Sequence, residues 1–138
     1  MEYLNDSLKR KRQLEERTMR FAVAVFKLLK VIPYDNSMKV IGYQIGKSSS
    51  SIGANYREAN RAESRDDFIH KIAIVLKETS ETLYWLDILA ELYPEKETIE
   101  DLKAEATEFL RIFQSTRSSL LNKRKQVNRK ISKITMQS

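Results

Sequence analysis

The chain contains no cysteine, three glycines, two prolines and one histidine among its 138 residues. Without cysteine there is no disulfide, no thiol nucleophile and no zinc site with thiolate ligands, a composition compatible with a reducing cytoplasm, where the protein is expected to reside. A single histidine, His70, cannot build a multi-histidine metal centre. The Glu-x-x-His spacing that di-iron bundles use is missing as well. No apolar run approaches the roughly 18 residues that a membrane-spanning helix needs. The opening stretch Met1-Glu2-Tyr3-Leu4-Asn5-Asp6 is polar and acidic, unlike a secretory signal. The serines Ser48, Ser49, Ser50 and Ser51 have no evident base beside them, so they do not read as a nucleophile motif. We therefore expect no catalytic residue, no cofactor and no metal: the chain does not read as an enzyme.

What is abundant is Lys, Glu, Arg, Leu and Ile. With so few helix breakers, that composition favours an all-α fold. The length suits one domain, which can bury about two thirds of the surface its unfolded form exposes.

Apolar residues recur at alternating spacings of three and four, the mark of helices with one buried stripe. Segment one spans about residues 7–32, with Leu14, Thr18, Phe21, Val25, Leu28 and Ile32 on its seam, and stops at Pro33. Segment two spans about residues 37–61, with Met38, Ile41, Ile45, Ser48, Ile52, Asn55 and Ala59. Segment three starts near Ser64, whose pairing with Asp67 resembles a capping box. Its seam is Ile69, Ile72, Leu76, Thr79, Leu83, Leu86 and Ala90, with Val75, Tyr84, Trp85, Ile88, Leu89 and Leu92 outside that line. Tyr93-Pro94 breaks the chain, and segment four runs from about Glu95 with Ile99, Leu102, Ala106, Phe109, Phe113, Thr116 and Leu120. Four helices of similar length joined by short turns imply an antiparallel up-down-up-down four-helix bundle.

All three glycines, Gly42, Gly46 and Gly53, fall inside segment two. Glycine costs a helix interior about 1 kcal/mol relative to alanine. The available compensation is close approach of a neighbouring backbone, so this segment reads as the central packing helix.

Charge is unevenly placed. Lys123, Arg124, Lys125, Arg129, Lys130 and Lys133 occupy residues 122–138 with no acid among them; the remaining 19 basic residues match the 19 acids, so these six carry the whole net charge of +6. The expected organisation is a bundle over residues 1–121 and a basic extension over 122–138, either helical or disordered. A second basic run, Lys9, Arg10, Lys11 and Arg12, opens segment one. In an antiparallel bundle this run, the turn carrying Arg57, Arg61 and Arg65, and the C-terminal extension converge at one end.

The stretches Ser51-Ile52-Gly53-Ala54-Asn55-Tyr56-Arg57-Glu58-Ala59, Asp67-Phe68-Ile69-His70-Lys71 and Leu76-Lys77-Glu78-Thr79-Ser80-Glu81-Thr82-Leu83-Tyr84-Trp85-Leu86 resemble the bacterial 23S rRNA intervening-sequence proteins. Their signature is similar: S-I-x-A-N-x-x-E, an aromatic-rich start to the third helix, then K-E-x-x-E-T. The resemblance is close over about residues 45–92 and lies more in pattern than in letters elsewhere. It implies a four-helix bundle and a ring-shaped homo-oligomer, often a pentamer. It supplies no catalytic residue. A more distant helical-bundle relative, the accessory protein of diversity-generating retroelements, binds reverse transcriptase and nucleic acid. The basic extension beyond Leu121 departs from the family's commonest form.

Several positions carry two readings. Asn55 and Glu58 read as polar groups on or beside the buried seam that fix helix register, or as the lining of a ligand or catalytic pocket; Ser48, also on that face, reads with Ser49, Ser50 and Ser51 as a small packing residue. Lys71, Glu78, Thr82 and Trp85 share a face of segment three. With Tyr84, they read as a solvated stripe or as a subunit interface with aromatic anchors; the broad apolar surface of the segment favours the interface. The extension reads as a disordered solubilising end. It also reads as a continuation of segment four, since Leu120, Val127, Ile131 and Ile134 keep the helical spacing. Such a helix would suit RNA or DNA, an anionic membrane surface or a protein partner. For nucleic acid, contacts would run through phosphates, because the extension holds no aromatic residue for base stacking. The leading expectation is an oligomeric bundle that presents basic termini to RNA or DNA; the alternative is an adaptor that docks a protein.

Overall fold

The computed structural model describes residues 2–137, and these form four α-helices: α1 (Glu2–Val31), α2 (Asn36–Ala59), α3 (Arg65–Leu92) and α4 (Glu97–Gln137). The inner boundaries have local causes. Pro33 cannot continue α1. Asp35 caps α2, its carboxylate accepting the Met38 N–H at 2.8 Å. Ser64 caps α3 in the same way, accepting the Asp67 N–H at 3.0 Å. Such caps contribute about 1 kcal/mol each by satisfying an otherwise orphaned donor. Glu97 and Glu100 sit in the first turn of α4, where the helix dipole favours negative charge.

The helices form an antiparallel up-down-up-down bundle in which α1 packs on α2 and α4, and α3 packs on α2 and α4. The core is one cluster built from the inner faces of all four. Phe109 and Phe113 of α4 fill its centre. Phe21 meets Phe109 edge-on at 5.4 Å between ring centroids, and Tyr56 meets Phe113 at 5.2 Å across the bundle axis. Truncating either central phenylalanine to alanine is worth about 3–5 kcal/mol by cavity formation.

Two seams differ from the three-four reading. On α2 the core takes Ser49, Gly53 and Tyr56, whereas Asn55 is half-buried and Glu58 is exposed. On α3 the core takes Val75, Thr82 and Leu89, while Leu76, Leu83 and Ala90 lie at its edge. The two shifts have opposite sense: Tyr56 lies one residue after Asn55, whereas Val75, Thr82 and Leu89 each lie one residue before the seam position. Both helices pack on two neighbours, α2 on α1 and α3, and α3 on α2 and α4, so each buries a face wider than a single seam.

The packing of α1 on α2 rests on small residues at two of the three glycines. A Cβ at Gly53 would lie 2.9 Å from Thr18 Oγ1 and 3.3 Å from Thr18 Cβ, and one at Gly46 would lie 3.1 Å from the Phe26 ring. Gly42 is different: nothing stands within 4 Å of the position its Cβ would take. Close approach therefore accounts for Gly46 and Gly53 but not for Gly42.

The Arg124–Asp66 ion pair, at 3.0 Å, joins α4 to the first turn of α3. Beyond that level no other described helix packs on α4, and residues 122–137 are exposed throughout. The last 12 of them project about 18 Å past the bundle at 1.5 Å per residue.

Candidate nucleic-acid interface

The end of the bundle that holds the start of α1, the start of α3 and the C-terminal half of α4 gathers the basic residues singled out from the sequence. Lys9, Arg10 and Arg12 are exposed on α1, and Lys11 is half-buried, its Nζ held 5.9 Å from the centre of the Phe68 ring of α3. Arg10, Lys11 and Arg65 line an open cleft of about 590 Å³ together with Tyr3, Phe68, Thr116, Ser119 and Leu120. Lys123, Arg124, Lys125, Arg129, Lys130 and Lys133 follow on α4, all exposed. Arg124 is paired with Asp66. The other five are far enough along α4, or turned enough around it, to present their charge to solvent. Helical spacing puts Val127, Ile131 and Ile134 on one stripe of the same segment, about half or more exposed, so α4 is amphipathic here with nothing against its apolar stripe among the described residues.

The larger groove, about 720 Å³ between α1 and α4, is a poorer candidate. Both of its cations are paired with acids, and Asp101 adds a further negative charge. Arg17 Nε donates to Glu105 at 2.9 Å and its guanidinium lies 5.2 Å from the Phe109 ring centre, while Arg20 pairs with Glu16 at 2.7 Å. The Glu105 hydrogen bond raises the Arg17 pKa further above its ordinary value, against the effect of burial.

The α2–α3 face holds the remaining predicted positions, and the structure separates them. Thr82 is fully buried inside the subunit. Its Oγ1 lies 2.8 Å from Ser48 Oγ and 2.8 Å from the Glu78 carbonyl, so it links α2 to α3 and is not available to another subunit. This hydroxyl pair is a buried polar contact between the two helices. Asn55 instead bonds back to the Ser51 carbonyl of its own helix at 2.8 Å, and Glu58 accepts from Lys71 Nζ at 3.1 Å on the surface. Neither is a buried polar core group, because α2 turns them outward. In the sequence Ser48 lay on the segment-two seam, but Thr82 lay off the segment-three seam, on the face shared with Lys71, Glu78 and Trp85, so nothing paired the two. The half-buried Glu78 has its pKa raised, first by burial and then by nearby Glu81, against the pull of Lys77 and Lys47. Tyr84 is 60% exposed and stands edge-on to Trp85 at 5.3 Å. The Trp85 Nε1 is covered yet has no acceptor among the described residues. Tyr56, by contrast, is a core residue whose phenol is pushed up by burial, partly offset by Asn60.

Residues 10–115 match the 23S rRNA-intervening sequence protein family. The chain belongs to that family. A solved structure from Bacteroides thetaiotaomicron, described as a protein with unknown function from the S23 ribosomal protein family, is 36% identical and superposes with a TM-score of 0.68. The alignment covers 75% of this chain and 96% of that one. No protein with a curated description matches the chain. The family match ends before the overhanging part of α4, so the six cations from Lys123 to Lys133 lie beyond what it covers. Among the described residues no helix is long and apolar enough to cross a membrane, and no cluster of three or more His, Asp or Glu is placed to hold a metal.

Proposed function

We propose that this member of the intervening-sequence family is a non-enzymatic, cytoplasmic homo-oligomer that binds RNA or DNA through the basic end of its bundle. The observation that supports this most is convergence. Cations far apart in sequence, Arg10 and Lys11 on α1, Arg65 on α3 and the series from Lys123 to Lys133 on α4, occupy one end of the molecule. Phosphate contacts by Lys and Arg need no fixed sequence and gain from counterion release, so binding is salt-sensitive and weakly sequence-specific. In a homo-oligomer, with a pentamer suggested by the family resemblance, each subunit brings one overhang. Several weak contacts then act together through effective concentration. The test is fluorescence anisotropy of labelled RNA and DNA with full-length protein and with a version ending at Leu121. Binding that weakens strongly on removing the overhang supports the reading; equal binding by both proteins counts against a role for it.

The second reading, an adaptor that docks a protein, has its own support in the bare stripe of Val127, Ile131 and Ile134. An amphipathic helix with such a stripe suits a hydrophobic groove on a partner. Overhang-dependent capture of a protein by material stripped of nucleic acid would favour it.

A further inference from the structure

The bundle supplies something that the basic extension lacks. The cleft at its basic end holds two aromatic rings beside three cations, and among the described residues no acidic side chain lines it. Tyr3 stands 77% exposed on α1, with its ring free to receive a planar group. Phe68 of α3 forms part of the wall, and Lys11 is held against its face. The sequence separates Tyr3 from Phe68 by most of two helices. Only the antiparallel packing of α1, α3 and α4 brings them to one cleft, whose volume lies within the ~300–1,000 Å³ range of ligand sites.

Aromatic rings next to cations are of little use to a duplex, whose bases are already stacked. They suit an unpaired nucleotide, because every base has a face that can stack and every backbone carries a phosphate. We infer that this cleft binds a nucleotide of single-stranded nucleic acid, its base stacked on the exposed Tyr3 ring against the wall that Phe68 and Lys11 form, and its phosphate met by Arg10, Lys11 and Arg65. The inference rests on the proposed nucleic-acid reading and sharpens it. The overhang of α4 supplies affinity for any phosphate backbone, and the cleft supplies a preference for unpaired strands.

Anisotropy with the full-length protein tests it, using a short single-stranded RNA, the same strand with abasic sites, and a duplex of equal length. The expected result is a preference of roughly tenfold for the intact single strand, the size of effect that one stacked base produces. Tyr3→Ala removes that preference and leaves duplex binding unchanged. Tyr3 is too exposed for this change to disturb the fold, which circular dichroism checks. Arg65→Gln weakens binding of both the intact and the abasic strand. If all three probes bind equally and Tyr3→Ala changes nothing while binding stays salt-sensitive, the cleft assignment is overturned and the phosphate reading survives. If no probe binds at all, both fall together.

Discussion

Replacing the three glycines of α2 with alanine, one at a time, should give three different answers. At Gly42 a methyl group meets nothing within 4 Å, so the helix gains the full propensity difference of about 1 kcal/mol. At Gly46 the methyl meets the Phe26 ring at 3.1 Å, but Phe26 is 45% exposed and can swing aside. The change should be close to neutral. At Gly53 the methyl lands 2.9 Å from Thr18 Oγ1, 3.3 Å from Thr18 Cβ and 3.5 Å from the Met19 backbone nitrogen. Thr18 cannot yield easily: it is fully buried, and its hydroxyl lies 2.9 Å from the carbonyls of Leu14 and Glu15. Overpacking of this kind costs about 1–3 kcal/mol, which exceeds the propensity gain. Gly53→Ala should therefore lose about 1 kcal/mol and Gly42→Ala gain a similar amount. For a chain of this size the gap of about 2 kcal/mol corresponds to roughly 6–10 °C in Tm. Thermal and urea melts of both variants measure it. Combining Gly53→Ala with Thr18→Ala removes the nearest clash, so the pair should lose less than the sum of the single changes. If Gly53→Ala proves as stabilising as Gly42→Ala, the close-approach account of α1 against α2 is wrong.

Three further outcomes follow from the same geometry. Thr82→Val removes the buried hydroxyl bridge to Ser48 and should cost about 1 kcal/mol, and a double-mutant cycle with Ser48→Ala should show the two coupled. Glu78 has a raised folded pKa, so the native state holds its proton more tightly than the unfolded state does; this group's contribution to stability falls as pH rises through the unfolded value near 4.5. Glu78→Gln should accordingly raise Tm at pH 7 more than at pH 4, and equal shifts at both would contradict that sign. If exposed Tyr84 and the half-buried Trp85 beside it anchor a subunit contact, Trp85→Glu should lower the molar mass seen by light scattering, with circular dichroism checking that the fold survives; an unchanged mass would move the interface elsewhere.

Much of the fold was legible because helices write themselves in sequence as period. Phe21, Val25, Leu28, Ile99, Leu102, Phe109 and Phe113 all lie buried where the three-four spacing put them. Pro33 and Ser64 mark boundaries close to those observed. The misses lie beside the chosen seams. α2 and α3 each pack on two neighbours, so one seam leaves out core residues on either side of it: Tyr56 follows Asn55 on α2, and Thr82 precedes Leu83 on α3. The cleft was less legible still. Arg10, Arg65 and Ser119 lie far apart along the chain, and nothing in local pattern joins Tyr3 to Phe68. The topology argument did bring the basic segments to one end, since that needs only the number of helices and the shortness of the turns.

The central claim is that the basic run of α1 and the overhang of α4 form one phosphate-binding surface. The direct measurement is the slope of log Kobs against log salt for the full-length protein, a version ending at Leu121, a variant with Lys9, Arg10, Lys11 and Arg12 changed to Gln, and the combination. Each lost phosphate contact lowers the slope by about one. The account predicts that both changes flatten the slope and that the combined variant loses nearly all salt dependence. A slope unchanged by either alteration would contradict it.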